Sequence, residues 1–164
     1  MVAGQPTKRI GELLVDRRLI TRAQLEQALL TQRSTKEFLG VILVRMGFVK
    51  PDTLLAALSE QFKIPCESLR PEQVDWQVIK QFPRSALSEG KCIPIRADTE
   101  TVTVAIANPL DAWTLSTIEQ AAGFRKVQVV LVLERELQAI LQEYQRRALH
   151  TIEEQFKDHG GRQS

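Results

Sequence analysis

The sequence predicts an α+β protein, with an N-terminal four-helix tandem-repeat unit followed by a small α/β sandwich. Three observations predict it. A 24-residue pattern recurs at a constant offset of 29 within the first sixty-one residues. Further on, TVTVAIA alternates with period two and VQVVLVL is almost continuously apolar, both strand signatures. The stretch Glu134–Leu149 carries apolar residues at helical spacing and reads as a long amphipathic closing helix.

The background composition fits a soluble domain. Of 164 residues, 43% are hydrophobic and 26% charged, which excludes collagen-like and disordered classes. No run approaches the roughly 18 consecutive apolar residues that a membrane span needs, so direct membrane insertion is not expected. The start, MVAGQPTKRIGELL, lacks the apolar region and cleavage site of a secretory signal. Cys66 and Cys92 stand far apart and outside any CxxC pattern, which fits a reducing cytoplasm. The two histidines, His150 and His159, both lie near the C-terminus, so no metal site is expected. Net charge is only +2, and aromatics are 5%, which argues against nucleic acid as a partner. The charge is uneven, however. Residues 1–63 hold ten Lys/Arg against six Asp/Glu, a mild positive bias suited to an anionic ligand.

Residues 9–32 and 38–61 align without a gap and share seven identities. These are Gly11/Gly40, Leu14/Leu43, Val15/Val44, Leu25/Leu54, Ala28/Ala57, Leu29/Leu58 and Gln32/Gln61. Chance would give roughly one or two, so this is a tandem duplication. Each copy reads as two helices around a tight turn, the leading helix ending near Asp16 or Arg45. The apolar pairs Leu19-Ile20 and Phe48-Val49 are expected to plug the joints. Thr21-x-x-Gln24 reads as a capping box, and so does Ser34-x-x-Glu37 ahead of the third helix. Pro51 sits where a first helical residue belongs. Glycine inside a helix costs roughly 1 kcal/mol against alanine. Gly11 and Gly40 therefore serve either a close helix crossing or the close approach of a ligand to the backbone. Gln32 and Gln61 close otherwise apolar faces with an amide that both donates and accepts.

The second half reads in the order β-α-α-β-β-α-β-α. Residues 64–69 form a short strand, and helical stretches follow over Val74–Phe82 and Arg84–Ser88, stopped by Gly90. Strands Ile93–Arg96 and Thr101–Ala107 flank a polar turn, and an Asn-Pro-Leu-Asp loop leads into a helix over Ala112–Ala122. VQVVLVL is expected to be a central strand because it is apolar on both faces. Trp76 and Trp113 are expected in the core. The expected domains are a ligand-binding repeat unit at 1–63, an α/β unit at 64–149 and a tail or linker at 150–164. No GxxxxGK[ST] motif and no nucleophile–base pair occur, so no catalytic residue is assigned and no enzyme activity is expected.

At the repeat, the sequence resembles the MshEN domain family, the N-terminal domain of type II secretion and type IV pilus ATPases. The family pattern is a pair of 24-residue motifs five residues apart, each opening on Arg-Leu-Gly and closing on Gln. Here the motifs are Arg9-Ile10-Gly11 with Leu25, Leu29 and Gln32, then Leu39-Gly40 with Leu54, Leu58 and Gln61. The resemblance runs over residues 7–147 and includes IPCESL, KCIPI and TVTVAIANPLD. It implies a regulatory domain that binds cyclic di-GMP and reports to a secretion or pilus ATPase or another output partner, with no other cofactor. It further implies that Lys8 and Arg9 meet phosphate or the guanine edge, with backbone N–H groups at Ile10-Gly11 and Leu39-Gly40 beside them. Leu25, Leu29, Leu54 and Leu58 would support the purines, and Gln32 and Gln61 would bond their edges. Asp111 of the Asn-Pro-Leu-Asp loop joins this set, although an ordinary helix N-cap is favoured for it over a ligand contact. One departure stands out. Phe38 occupies the place of the second motif arginine, at the start of a helix, where a core residue is favoured over a base-stacking platform. A docking adaptor that binds protein and no nucleotide is the alternative function.

Overall fold

The computed structural model describes residues 9–82, 87 and 91–160, with the backbone alone considered at 112–113 and 152–160. The chain divides after Glu67 into two compact units, and its fold class is α+β as expected.

In the first unit the duplication appears as four helices: α1 (Ile10–Asp16), α2 (Arg22–Thr35), α3 (Leu39–Arg45) and α4 (Pro51–Phe62). The leading helices end where the repeat places them, and for the same reason in each copy. Arg18 and Gly47, equivalent in the repeat, both take left-handed backbone with φ of 58° and 72°. Their N–H groups donate to Val15 O and Val44 O. The next residues, Leu19 and Phe48, donate to Leu14 O and Leu43 O, both at 2.9 Å, which satisfies the last carbonyls of each helix. Only one member of each apolar pair plugs its joint. Ile20 and Val49 are buried, whereas Leu19 is exposed and Phe48 half-buried.

The capping box at Thr21 forms as expected, with Gln24 N donating to Thr21 Oγ1 and Thr21 N to Gln24 Oε1. Pro51 is a first-turn residue of α4. The second box does not form. Ser34 lies inside α2, its hydroxyl donating to Thr31 O, because the helix continues to Thr35 and stops at a left-handed Lys36. Phe38 then caps α3 without any side-chain hydrogen bond, and Glu37 pairs with Arg45 at 2.6 Å instead. The core of the unit is formed by Leu14, Ala28, Ile42 and Leu43, all fully buried, with Ile20 and Ala57. Arg17 on the first copy pairs with Glu60 on the second.

The second unit is a three-stranded mixed sheet in the order β1-β2-β3, with β1 at Cys92–Ala97, β2 at Thr101–Ile106 and β3 at Lys126–Leu131. Strand β2 pairs antiparallel with β1 and parallel with β3, which requires a crossover between β2 and β3. That crossover is α6 (Ala112–Ala122), which packs on β3. The short α5 (Trp76–Lys80) packs on β1, and the closing α7 (Glu134–Gly160) packs on β1 and β2. Ile93, Ile95, Ala105, Val130, Leu137 and Ile140 belong to one buried cluster beneath these helices. Pro94 sits on an edge strand, where a missing ladder donor is tolerated, beside a bulge.

Four expectations for the chain beyond Lys63 are corrected. Residues 64–69 form no strand, only a single bridge at Cys66, since Pro65 removes a donor from so short a run. The helix read over Val74–Phe82 is shorter, because Asp75 accepts from Gln77 N and so caps the helix at Trp76. VQVVLVL is not central, for β3 lies at the edge with Val127 and Val129 half-buried, and β2 is the middle strand. The apolar run reports burial under a crossover helix, and its last residues, Val132 and Leu133, already belong to the turn into α7. The residues beyond Leu149, read as a tail, continue α7 as helix to Gly160. The stretch Arg84–Ser88 with Gly90 lies largely outside the described residues, and so does the Trp113 side chain.

Near the outer end of the described α7 side chains, Glu143 accepts from Arg146 Nε at 2.8 Å and Arg147 Nε at 2.7 Å. Arg147 in turn lies over the half-buried Trp76 ring at 4.5 Å, tying α7 to α5. These hydrogen bonds, from Arg146 first and then Arg147, pull the Glu143 carboxyl from its ordinary 4.5 down to about 2. A depressed carboxylate adds stability above its unfolded value, and that stability is lost as pH falls from there through the folded value. The melting temperature should therefore drop between about pH 4.5 and pH 2 by more in the parent chain than in Glu143→Gln. Parallel melting curves through that window would show the coupling is absent.

Candidate functional site

A cleft of about 340 Å³ opens on the first unit between α1 and α2, with Leu39 of the second copy at its edge. Its lining includes five sequence-predicted residues: Arg9, Gly11, Leu25, Leu29 and Leu39. Arg9 is the N-cap residue of α1, in extended backbone and exposed, so its guanidinium is available to an anion. Leu25 is buried, and Leu29, one helical turn on, is 38% exposed. Ile10, beside Arg9, is buried.

The glycines have a packing cause that repeats in both copies. A Cβ at Gly11 would lie 2.5 Å from Leu25 Cδ1 and 3.1 Å from Leu39 Cδ2. At Gly40 it would lie 2.9 Å from Leu54 Cδ2. Each glycine thus admits the leucine fourteen residues further along its own copy, letting paired helices cross closely. Of the other predicted residues, Leu54 is half-buried and Leu58 only 6% exposed, within the core. Gln32 Nε2 donates to Glu37 O at 2.9 Å and so braces the linker between the copies. Gln61 holds a buried Oε1.

Phe38 is the clear correction. It is 43% exposed and not a core residue, because the N-cap position directs it off the end of α3 rather than into the helix face that packs. Lys8 lies outside the described residues. Asp111 belongs to the second unit, where Oδ1 accepts from Thr114 N at 3.1 Å and Oδ2 lies 3.4 Å from Lys91 Nζ. It is the N-cap of α6. Burial opposes its ionisation, but the bonds from Thr114 and the Lys91 charge outweigh that and lower its pKa. Buried Cys92 nearby is raised to about 11 by burial and then by the Asp111 charge, so little thiolate exists at neutral pH. Among the described residues no cluster of three or more His, Cys, Asp or Glu could hold a metal ion. No described helix is long and apolar enough to cross a membrane.

Sequence reasoning missed five further cleft residues: Glu12, Val15, Asp16, Arg22 and Glu26. The signal was present. Arg22, Glu26 and Leu29 follow i, i+4, i+7 spacing and so share a face of α2 with Leu25, while Glu12 follows Arg9 by three.

The pattern of the MshEN domain matches residues 62–151, more than half of the chain. The chain belongs to the MshEN domain family. A structure of MshE with cdg (cyclic di-GMP) superposes with a TM-score of 0.74 at 27% identity, covering 84% of this MshEN chain and 99% of that one. That coverage reaches into the tandem repeat, ahead of the matched residues. The N-terminal domain of XpsE shares the fold, with a TM-score of 0.61 at 18% identity over 87% of this chain and 97% of that one. In sequence, the type IV pilus assembly ATPase PilB of Thermus thermophilus is 32% identical over 118 residues, 71% of this chain and 13% of PilB. This MshEN domain spans 13 to 24% of the length of the curated relatives it matches here. In the PilB proteins it corresponds to a small part of the ATPase.

Proposed function

We propose that this MshEN domain is a cytoplasmic regulatory domain that binds cyclic di-GMP through its tandem repeat. Its ligand state is passed to an output partner, a secretion or pilus-type ATPase or another module. The observation that carries this reading is the cleft itself, which gathers motif residues from both copies beside the exposed motif arginine Arg9. Cyclic di-GMP pairs two anionic phosphates with two flat purines. Arg9 supplies charge-assisted hydrogen bonds to a phosphate or to guanine O6 and N7. Leu25 and Leu29 supply an apolar wall for a base. The similarity to MshE solved with cyclic di-GMP supports the same ligand. The ligand changes output only through its differential affinity for two states of the domain. The chain acts by binding, with no chemistry of its own.

Calorimetric titration with cyclic di-GMP, GTP and ATP tests the reading. We expect saturable heat with cyclic di-GMP alone, and amide protection from exchange within residues 9–61. No heat at tens of micromolar protein, or protection confined to residues 91–133, overturns it. The first outcome would favour a protein-docking adaptor, for which the exposed Leu30 and Val41 offer apolar contact.

A further inference from the structure

The 29-residue offset separates the cleft-lining positions into those the two copies share and those they do not. Gly11, Val15, Leu25 and Leu29 are identical to their counterparts Gly40, Val44, Leu54 and Leu58. None of the charged lining residues is shared. Arg9, Glu12 and Asp16 on the first leading helix correspond to Phe38, Val41 and Arg45. Arg22 and Glu26 correspond to Pro51 and Leu55. The frame is kept and the chemistry is exchanged.

The exchanged side chains leave equivalent backbone points. Arg9 and Phe38 are both N-cap residues, with φ/ψ of −67°/145° and −65°/136°. Phe38 and Val41 are both substantially exposed, so the second copy presents an apolar surface where the first presents charge. Arg45, the nearest change of sign, is held by Glu37 at 2.6 Å.

Three carboxylates beside two arginines make a poor receptor for phosphate alone. They suit a group with donors and acceptors side by side. Guanine offers the two N–H donors of its pairing edge, N1–H and N2–H, to a carboxylate, and O6 and N7 of its Hoogsteen edge to an arginine. Adenine has an acceptor at N1 where guanine has a donor, and a carboxylate repels it. An exposed phenylalanine, in contrast, stacks on the face of any base.

We propose that the two copies have diverged into half-sites of different chemistry. The first reads guanine by Glu12 and Glu26 together with Arg9, and the second takes either purine by stacking on Phe38. The inference rests on the reading that the ligand is a cyclic dinucleotide, and it names the class: rings containing at least one guanine, the mixed guanine–adenine ring included.

Calorimetry on the full chain with cyclic di-GMP, cyclic GMP–AMP and cyclic di-AMP tests it. The mixed ring should bind within about threefold of cyclic di-GMP, about twofold of that reflecting its single productive orientation. Cyclic di-AMP should bind roughly 5- to 150-fold more weakly, the range for losing one specific base contact. Glu12→Gln with Glu26→Gln should shrink that gap to below about fivefold. Phe38→Ala should weaken both guanine-containing ligands by a similar factor, roughly 5- to 150-fold, and Phe38→Trp should retain binding. A mixed ring that binds as poorly as cyclic di-AMP, or a Phe38→Ala chain that binds like the parent, overturns the inference while the function stands. If cyclic di-GMP itself gives no heat, the reading of function fails and the inference with it.

Discussion

Leu43→Ala is expected to cost the first unit about 2–5 kcal/mol, the range for deleting a fully buried leucine and leaving a cavity. Leu14→Ala, at the equivalent place in the other copy and equally buried, should cost nearly as much. A unit of this size has a total stability on the order of 3–10 kcal/mol, so either change removes a large part of it. Urea denaturation followed by a probe in residues 9–62 measures both. Because the two leucines belong to one small core, the double variant should not show additive losses; it should be unfolded outright. Two variants that melt within a degree of the parent would mean the repeat halves do not depend on this core.

Arg9→Ala should weaken cyclic di-GMP binding by about 1.5–3 kcal/mol, roughly ten- to a hundredfold, the worth of hydrogen bonds to a charged group. Arg9 is exposed at an N-cap and makes no capping bond through its side chain, so its removal should leave the melting temperature unchanged. That separation makes the variant informative. A loss of affinity with unchanged stability assigns the effect to the ligand contact. Binding equal to the parent would remove Arg9 from the site. Phe38→Arg is the converse change, placing a charge at the equivalent N-cap without disturbing the core, since Phe38 is outside it. It should steepen the dependence of affinity on salt, as an added cation facing phosphate does.

How much of this was legible beforehand depends on the kind of residue involved. The tight turns that follow Asp16 and Arg45, the box at Thr21 and the start at Pro51 follow from short stretches of chain, and each forms as read. Ser34–Glu37 carries the same four-residue signature as Thr21–Gln24 and forms no box. Its hydroxyl had a nearer carbonyl at Thr31, and its glutamate a nearer partner at Arg45. A capping motif states a possibility that competing partners can cancel. The roles of Gly11 and Gly40 were open for a similar reason. A glycine in a helix announces that something comes close, and only the packed helices identify it as Leu25 or Leu54.

The sequence by itself determined the duplication, the ends of the two leading helices, the starts of α2 and α4, and the α+β class. Those properties reside in local backbone chemistry and in period, which a chain carries wherever it is placed. Only the tertiary structure decided that β2 and not β3 is the middle strand, since a run apolar on both faces records coverage and not strand order. It likewise decided that Phe38 faces water, and that Glu12, Arg22 and Glu26 line the cleft with Arg9. Exposure and lining depend on which helix faces meet. That is settled by the whole packed unit, where Leu14, Ile42 and Leu43 must be buried together before any charged face can turn outward.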